Sequence, residues 1–318
     1  MTDTQKHRLV TRSDFDGLVC AMILKEKGLI DDIKFVHPKD VQDGKVEITS
    51  NDITTNLPFD PRVGLAFDHH ESELTRNAGV DFGGRYIIDG DAKSAARVVY
   101  DYYGGKEALP RISDELMEAV DKGDSADFTL DEILHPEGWV LMNFLMDART
   151  GLGRFHDFRI SNYDLMMELI DYCLDHPVEE VLELPDVKER VDLYFEQAEL
   201  FTNQVRELAR QEGRVVVLDL REAETIYAGN RFMIYALYPE SQISVHVAWG
   251  FRKQNTAVMI GKSILDKRSN ANIGEVCLSY GGGGHRNAGT CQIDNDKVDA
   301  ALPDIIATLN ADCTPLGE

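Results

Sequence analysis

Residues 64 to 71, Gly64-Leu65-Ala66-Phe67-Asp68-His69-His70-Glu71, do more than any other stretch to limit what this chain can become. An apolar run with Pro61 before it and charged residues after it predicts a short strand covered on both faces. Such a strand belongs to a parallel sheet flanked by helices. The run stops on one acid and two imidazoles, oxygen and nitrogen donors placed beyond a strand's carboxyl end, where open α/β sheets bind ligands. That arrangement suits a metal ion. Taken alone, the three residues also fit a plainer reading, in which Asp68 caps a turn and the histidines lie on the surface.

The chain before this stretch repeats the pattern. His7–Thr11 predicts a first strand and Gly17–Lys25 an apolar helix closed by Gly28. Between them, Arg12-Ser13-Asp14-Phe15-Asp16-Gly17 places two carboxylates one residue apart in a strand-to-helix turn, where both can face one crevice; Asp16 as a simple N-cap is the alternative. Ile33–Val36 predicts a second strand and the stretch through Val46–Thr49 a third, ending near Asn51-Asp52-Ile53, so that Asp52 lies just past a strand or merely in a turn. Tyr86–Ile88 predicts a fifth strand. Helices are expected at Ser94–Tyr103 and Ser113–Val120, the latter running into Asp121-Lys122-Gly123-Asp124, with Gly123 as its terminator. Strands alternating with helices describe a doubly wound parallel sheet.

From about Thr129 the chain turns helical, with apolar residues at helical spacing over Trp139–Met146, Tyr163–Cys173 and Val187–Glu212. The long last helix can pack within the chain or against a second copy, making a homodimer. After Gly213 strands return, at Arg214–Leu218, Ile243–Trp249 and Thr256–Ile260, with a helix expected at Phe232–Tyr238. The expected organisation is therefore residues 1–186 with a helical insertion, a connector helix over 187–212, and a smaller C-terminal α/β domain with a mixed sheet over 213–318.

That second domain carries Gly281-Gly282-Gly283-Gly284-His285-Arg286. Consecutive glycines cost conformational entropy, so a run of them suits a place where backbone amides crowd around a bound group. Free N–H groups there would form an anion nest, with His285 and Arg286 as added donors; a flexible linker is the alternative. Lys262, Arg268 and Ser269 can line the same pocket, and Tyr280 adjoins it.

Composition narrows the partners. A formal charge of −23 argues against long duplex nucleic acid, whose binding depends on Lys and Arg displacing counterions. Small anionic substrates stay open, because metal ions and a few arginines can reverse the field inside one cleft. No run approaches the ~20 apolar residues of a membrane span. Met1–His7 lacks the apolar core of a signal peptide, so a cytoplasmic address is expected. The five cysteines are scattered and include no Cys-x-x-Cys pair, which argues against a disulfide framework or a structural zinc.

Together, Asp14-Phe15-Asp16-Gly17, Asp52, Asp68-His69-His70, an acid near Asp121, and Gly281–His285 followed by Ala288-Gly289 resemble the DHH phosphoesterase superfamily. Its two-domain branch includes oligoribonucleases, pAp phosphatases and exopolyphosphatase-related proteins. The resemblance spans nearly the whole chain. It implies two Mn2+ ions, with Mg2+ or Co2+ as other choices. Asp14 would bind one and Asp16 the other, with Asp52 bridging them and His69 and Asp121 completing the coordination of the second ion; Asp124, one turn on, is the rival to Asp121. It also implies that Asp68, His69 and His70 are catalytic, with Asp68 and His70 orienting ligands or contacting phosphate. Arg12, Gly282, Gly283, Gly284, His285 and Arg286 would bind substrate, held in an interdomain cleft.

One position departs from the family pattern. Members usually carry a histidine where this chain has Arg12, and a guanidinium cannot coordinate a metal. Three results are open: a weakened first site unless His37 substitutes, a one-metal enzyme, or Arg12 as a phosphate clamp. The implied function is a Mn-dependent phosphodiesterase, exonuclease-like, acting on short oligonucleotides or small nucleotides. The alternatives are a pAp phosphatase or exopolyphosphatase-like enzyme, and a nucleotide-binding protein made silent by Arg12.

Overall fold

A computed structural model describes residues 6–70, 73, 77 and 79–315. The chain divides into two compact units, residues 1–127 with 136–192, and residues 128–135 with 193–318.

The first unit is built on strands β1 (His7–Thr11), β2 (Ile30–Phe35), β3 (Asp52–Thr55), β4 (Leu65–Asp68) and β5 (Tyr86–Ile88). All pair in parallel, in the order β2-β1-β3-β4-β5. Helix α1 (Phe15–Glu26) is apolar on every side because it is buried on every side: Phe15 through Leu24 are all inaccessible. It lies against the sheet and under the helices Ala95–Tyr102, Asp114–Ser125 and Asn162–Asp175. The opposite face of the sheet packs Val10 and Ala66 against Val41, Val46, Ile48, Leu57 and Val63. Hydrophobic layers on both faces of a parallel sheet are what its uninterrupted apolar strands require.

Two expected boundaries move, with consequences for the site. The third strand is Asp52–Thr55 rather than the stretch through Val46–Thr49, so Asp52 opens the strand instead of following it. The helix expected to stop at Gly123 runs on to Ser125 and ends where Ala126 takes a left-handed conformation, φ 54°. Gly123 is retained by close contact: a Cβ there would stand 2.4 Å from Asn143 Oδ1.

The second unit holds a mixed sheet of β6 (Ala209–Glu212), β7 (Val215–Asp219), β8 (Ile243–Trp249), β9 (Thr256–Lys262), β10 (Gly283–His285) and β11 (Ala288–Ile293), ordered β10-β11-β9-β8-β7-β6. Only β7 and β8 pair in parallel. Helices Ile273–Ser279 and Val298–Ala311 cover one face, over Val215, Val245, Ile260 and Cys291. The long helix spans Pro185–Leu208; residues 209–212, expected to continue it, pair with β7 across the turn at Gly213, φ 65°. All five cysteines are free thiols. Among the described residues no helix is long and apolar enough to cross a membrane.

Candidate active site

The first residues beyond β1 fold into a tight turn. A Cβ at Gly17 would sit 2.0 Å from the Arg12 carbonyl oxygen, so no side chain fits there. Asp14 caps α1, accepting from Gly17 N at 3.0 Å, and its other oxygen lies 3.0 Å from Arg12 Nε. Asp16, in the first turn of α1, is buried. Its oxygens accept from Ala96 N at 2.7 Å and Ala95 N at 3.1 Å, the leading amides of the Ala95–Tyr102 helix.

At the end of β4, Asp68 is wholly buried and committed to local structure. One oxygen accepts from His69 N (2.9 Å) and stands 2.7 Å from His70 Nδ1, while the other accepts from Tyr86 Oη at 3.0 Å. Asp68 thus fixes the turn that aims the histidines. His69 places Nδ1 3.3 Å from the Ala92 carbonyl oxygen, which selects the tautomer donating from Nδ1. Its Nε2 lies 2.9 Å from Asp124 Oδ2 but is a buried nitrogen without an aligned hydrogen bond.

Asp16, His69 and Asp124 each offer a ligand atom, all within 4.8 Å of one another. An orphaned imidazole nitrogen beside two carboxylates is the donor set of a divalent cation, and these residues fit one. The electrostatics agree. Burial, reinforced by Asp124, pushes Asp16 up to about 8. Burial works to lower His69, but the Asp124 carboxylate raises it to about 9. Asp124, which burial would raise, is held below the usual carboxylate range by His69. Protons on this trio occupy charge positions that a bound cation would take over.

A cavity of about 510 Å³ opens beside the trio, lined by Arg12, Asp14, His37, Asp124, Asp147 and Arg149 among others. Arg149 Nε lies 2.7 Å from Asp147 Oδ1. Asn143, Asp147 and Arg149 come from the helical stretch after Thr129; isolated polar residues, one in the Gly138–Met146 helix and two at the 3₁₀ turn after it, carry no spacing signal. His37 is exposed and caps the Pro38–Gln42 helix, accepting from Lys39 N at 3.1 Å.

Two expected ligands lie elsewhere. Asp52 stands at the amino end of β3, at the opposite end of the strands from Asp68, where it accepts from Arg8 Nε and Nη2, both at 2.8 Å. The carboxyl end of β3 instead leads into Asn56, which is buried at φ 55° with both side-chain polar atoms unpartnered. Asp121 accepts from Ser94 Oγ at 2.7 Å and Arg97 Nη2 at 2.7 Å, so Asp124 is the acid that reaches His69.

The glycine run does not curl into a nest. Gly283 and Gly284 are extended in β10, paired with Thr290 and Gly289 of β11. A Cβ at Gly282 would lie 2.2 Å from Thr290 O, and one at Gly284 2.4 Å from Ala288 O, so the glycines admit their own partner strand. His285 and Arg286 are exposed beside it.

No protein-family model and no curated protein matches the chain. Among solved structures it is similar to the pGpG-specific phosphodiesterase PggH from Vibrio cholerae, with 56% identity and a TM-score of 0.84, covering 96% of this chain and 100% of that one. It also shares a fold with the DHH domain of a member of the s1p family of ribosomal proteins, at 13% identity and a TM-score of 0.57, over 97% of this chain and 88% of that one.

Proposed function

This chain belongs to the DHH phosphoesterase superfamily, and from that premise we propose that it is a metal-dependent phosphodiesterase whose substrate is a short 5′-phosphorylated oligonucleotide, with the dinucleotide pGpG as the reference. The observation that supports the substrate is the 56% identity to a pGpG-specific phosphodiesterase over that protein's whole length. When bound at Asp16, His69 and Asp124, a divalent ion such as Mn2+, Mg2+ or Co2+ supplies Lewis acidity towards a phosphoryl oxygen and activates water.

The chain's own residues do the rest. Asp68 holds the turn that aims His69, and the Ala92 carbonyl fixes its tautomer. Arg12 and Arg149 line the cavity as two guanidiniums, suited to bidentate contact with phosphate oxygens. Arg12 thereby serves as the clamp left open by its substitution for histidine. His285 and Arg286, exposed in the second unit, are further proposed substrate contacts. A short substrate also suits the charge of −23, since a long polyanion would meet the acidic surface beyond the two cavity arginines.

The test is hydrolysis of pGpG by the full-length chain with added Mn2+, beside the His69→Ala variant. GMP release that the variant loses is the expected result. Binding of pGpG without release would identify a silent nucleotide binder, and release from pAp or polyphosphate in preference to pGpG would replace the dinucleotide as substrate.

A further inference from the structure

The charges lining the cavity bear on how many cations it takes. Four carboxylates, those of Asp14, Asp16, Asp124 and Asp147, share it with two guanidiniums, those of Arg12 and Arg149. Arg12 Nε stands 3.0 Å from Asp14 Oδ2 and Arg149 Nε 2.7 Å from Asp147 Oδ1, so two of the acids already have a tethered counter-charge. Asp16 and Asp124 are left without a guanidinium, with His69 Nε2 2.9 Å from Asp124 Oδ2. Two carboxylates that no guanidinium holds, converging with an imidazole nitrogen, match one divalent ion.

Among the described residues a second ion has no comparable place. Asp14 would have to hold it against a guanidinium already on the same carboxylate, a like charge that repels the ion. Asp52 and Asp121 are paired with Arg8 and Arg97 away from the cluster. The strand end that could have contributed a bridging acid carries the neutral carboxamide of Asn56.

We propose that each chain binds a single divalent ion, on Asp16, His69 and Asp124, and that the Arg12 guanidinium stands in the place of a second. The catalytic use of that ion rests on the phosphodiesterase reading; the ion count does not. Half of the cationic charge at the site is therefore part of the polypeptide and survives chelation.

The experiment counts ions on metal-stripped full-length protein, by titration with MnCl2 followed through the electron paramagnetic resonance signal of free Mn2+. One Mn2+ per chain is expected, with loss of that binding in His69→Ala and two per chain in Arg12→His, where an imidazole replaces the guanidinium beside Asp14. Two ions per wild-type chain, or none, would overturn the proposal. A single ion in a correctly folded Arg12→His variant would show that Arg12 is not what excludes the second, and would overturn that half of it. No substrate enters the assay, so a chain that fails to cleave pGpG yet binds one ion separates this inference from the proposed activity.

Discussion

His69 Nε2 lies 2.9 Å from Asp124 Oδ2, bringing the end of strand β4 against the last turn of the Asp114–Ser125 helix. The helix reaches this point only because it continues through Gly123. Three residues earlier on the same helix, Asp121 is turned towards Ser94 and Arg97. One helical turn thus separates a carboxylate available to a metal from one that ties two helices together.

The two acids should part in function. Asp124→Asn is expected to abolish Mn2+ binding and pGpG hydrolysis while leaving the fold intact. Asp121→Asn should retain the ion but lower stability by about 2 kcal/mol, the scale of a charge-assisted hydrogen bond lost from a partly buried site. Metal titration and urea unfolding of both variants distinguish them; loss of Mn2+ binding in Asp121→Asn alone would reverse the assignment.

Asp52 is expected to contribute to stability and not to metal binding. Burial would raise its carboxyl, but the Arg8 side chain and the Thr49 amide hold it below the ordinary value. Its stabilisation is therefore present above the unfolded value, near 3.9, and fades as pH falls through the lower folded value. Asp52→Asn should cost about 3 kcal/mol at pH 7 with an unchanged Mn2+ count, and the gap to wild type should close below about pH 4. Denaturant melts across that range provide the check.

Arg149 is placed to hold phosphate oxygens of the substrate, and its removal should act on binding. For Arg149→Ala we expect KM for pGpG to rise roughly tenfold with kcat little changed, matching the loss of one charged hydrogen bond. Steady-state kinetics at two salt concentrations measure it. A fall in kcat at constant KM would instead place Arg149 on the transition state.

Gly17 tests the turn that carries both aspartates. Gly17→Ala places a Cβ 2.0 Å from the Arg12 carbonyl oxygen, a backbone atom that cannot swing aside. A cost of about 3 kcal/mol is expected, although alanine is the better helix former. Thermal unfolding decides; a stabilised variant would mean that the turn opens without penalty.

Much of the first unit was legible in the sequence because its signals are local. The apolar run ending on Asp68-His69-His70, the Asp14-x-Asp16-Gly17 turn after β1 and the alternation of strands and helices each state their structure within a few residues, and the structure has the parallel sheet they imply. The departure at Arg12 was equally visible as a residue type.

Partners in space were not visible. Asp52 was placed at the wrong end of its strand because the strand begins at that residue, a boundary set by pairing with β1 and not by local propensity. Asp121 and Asp124 differ only in which neighbours face them, and only the pairing of β10 with β11 shows that Gly282 and Gly284 leave room for a partner strand. Residue chemistry determined which atoms could bind a cation. Packing of helices against the sheet decided that Asp16, His69 and Asp124 share one point while Arg12 already occupies Asp14, because ligation depends on distances between residues far apart in the chain and sequence fixes those only through the folded core.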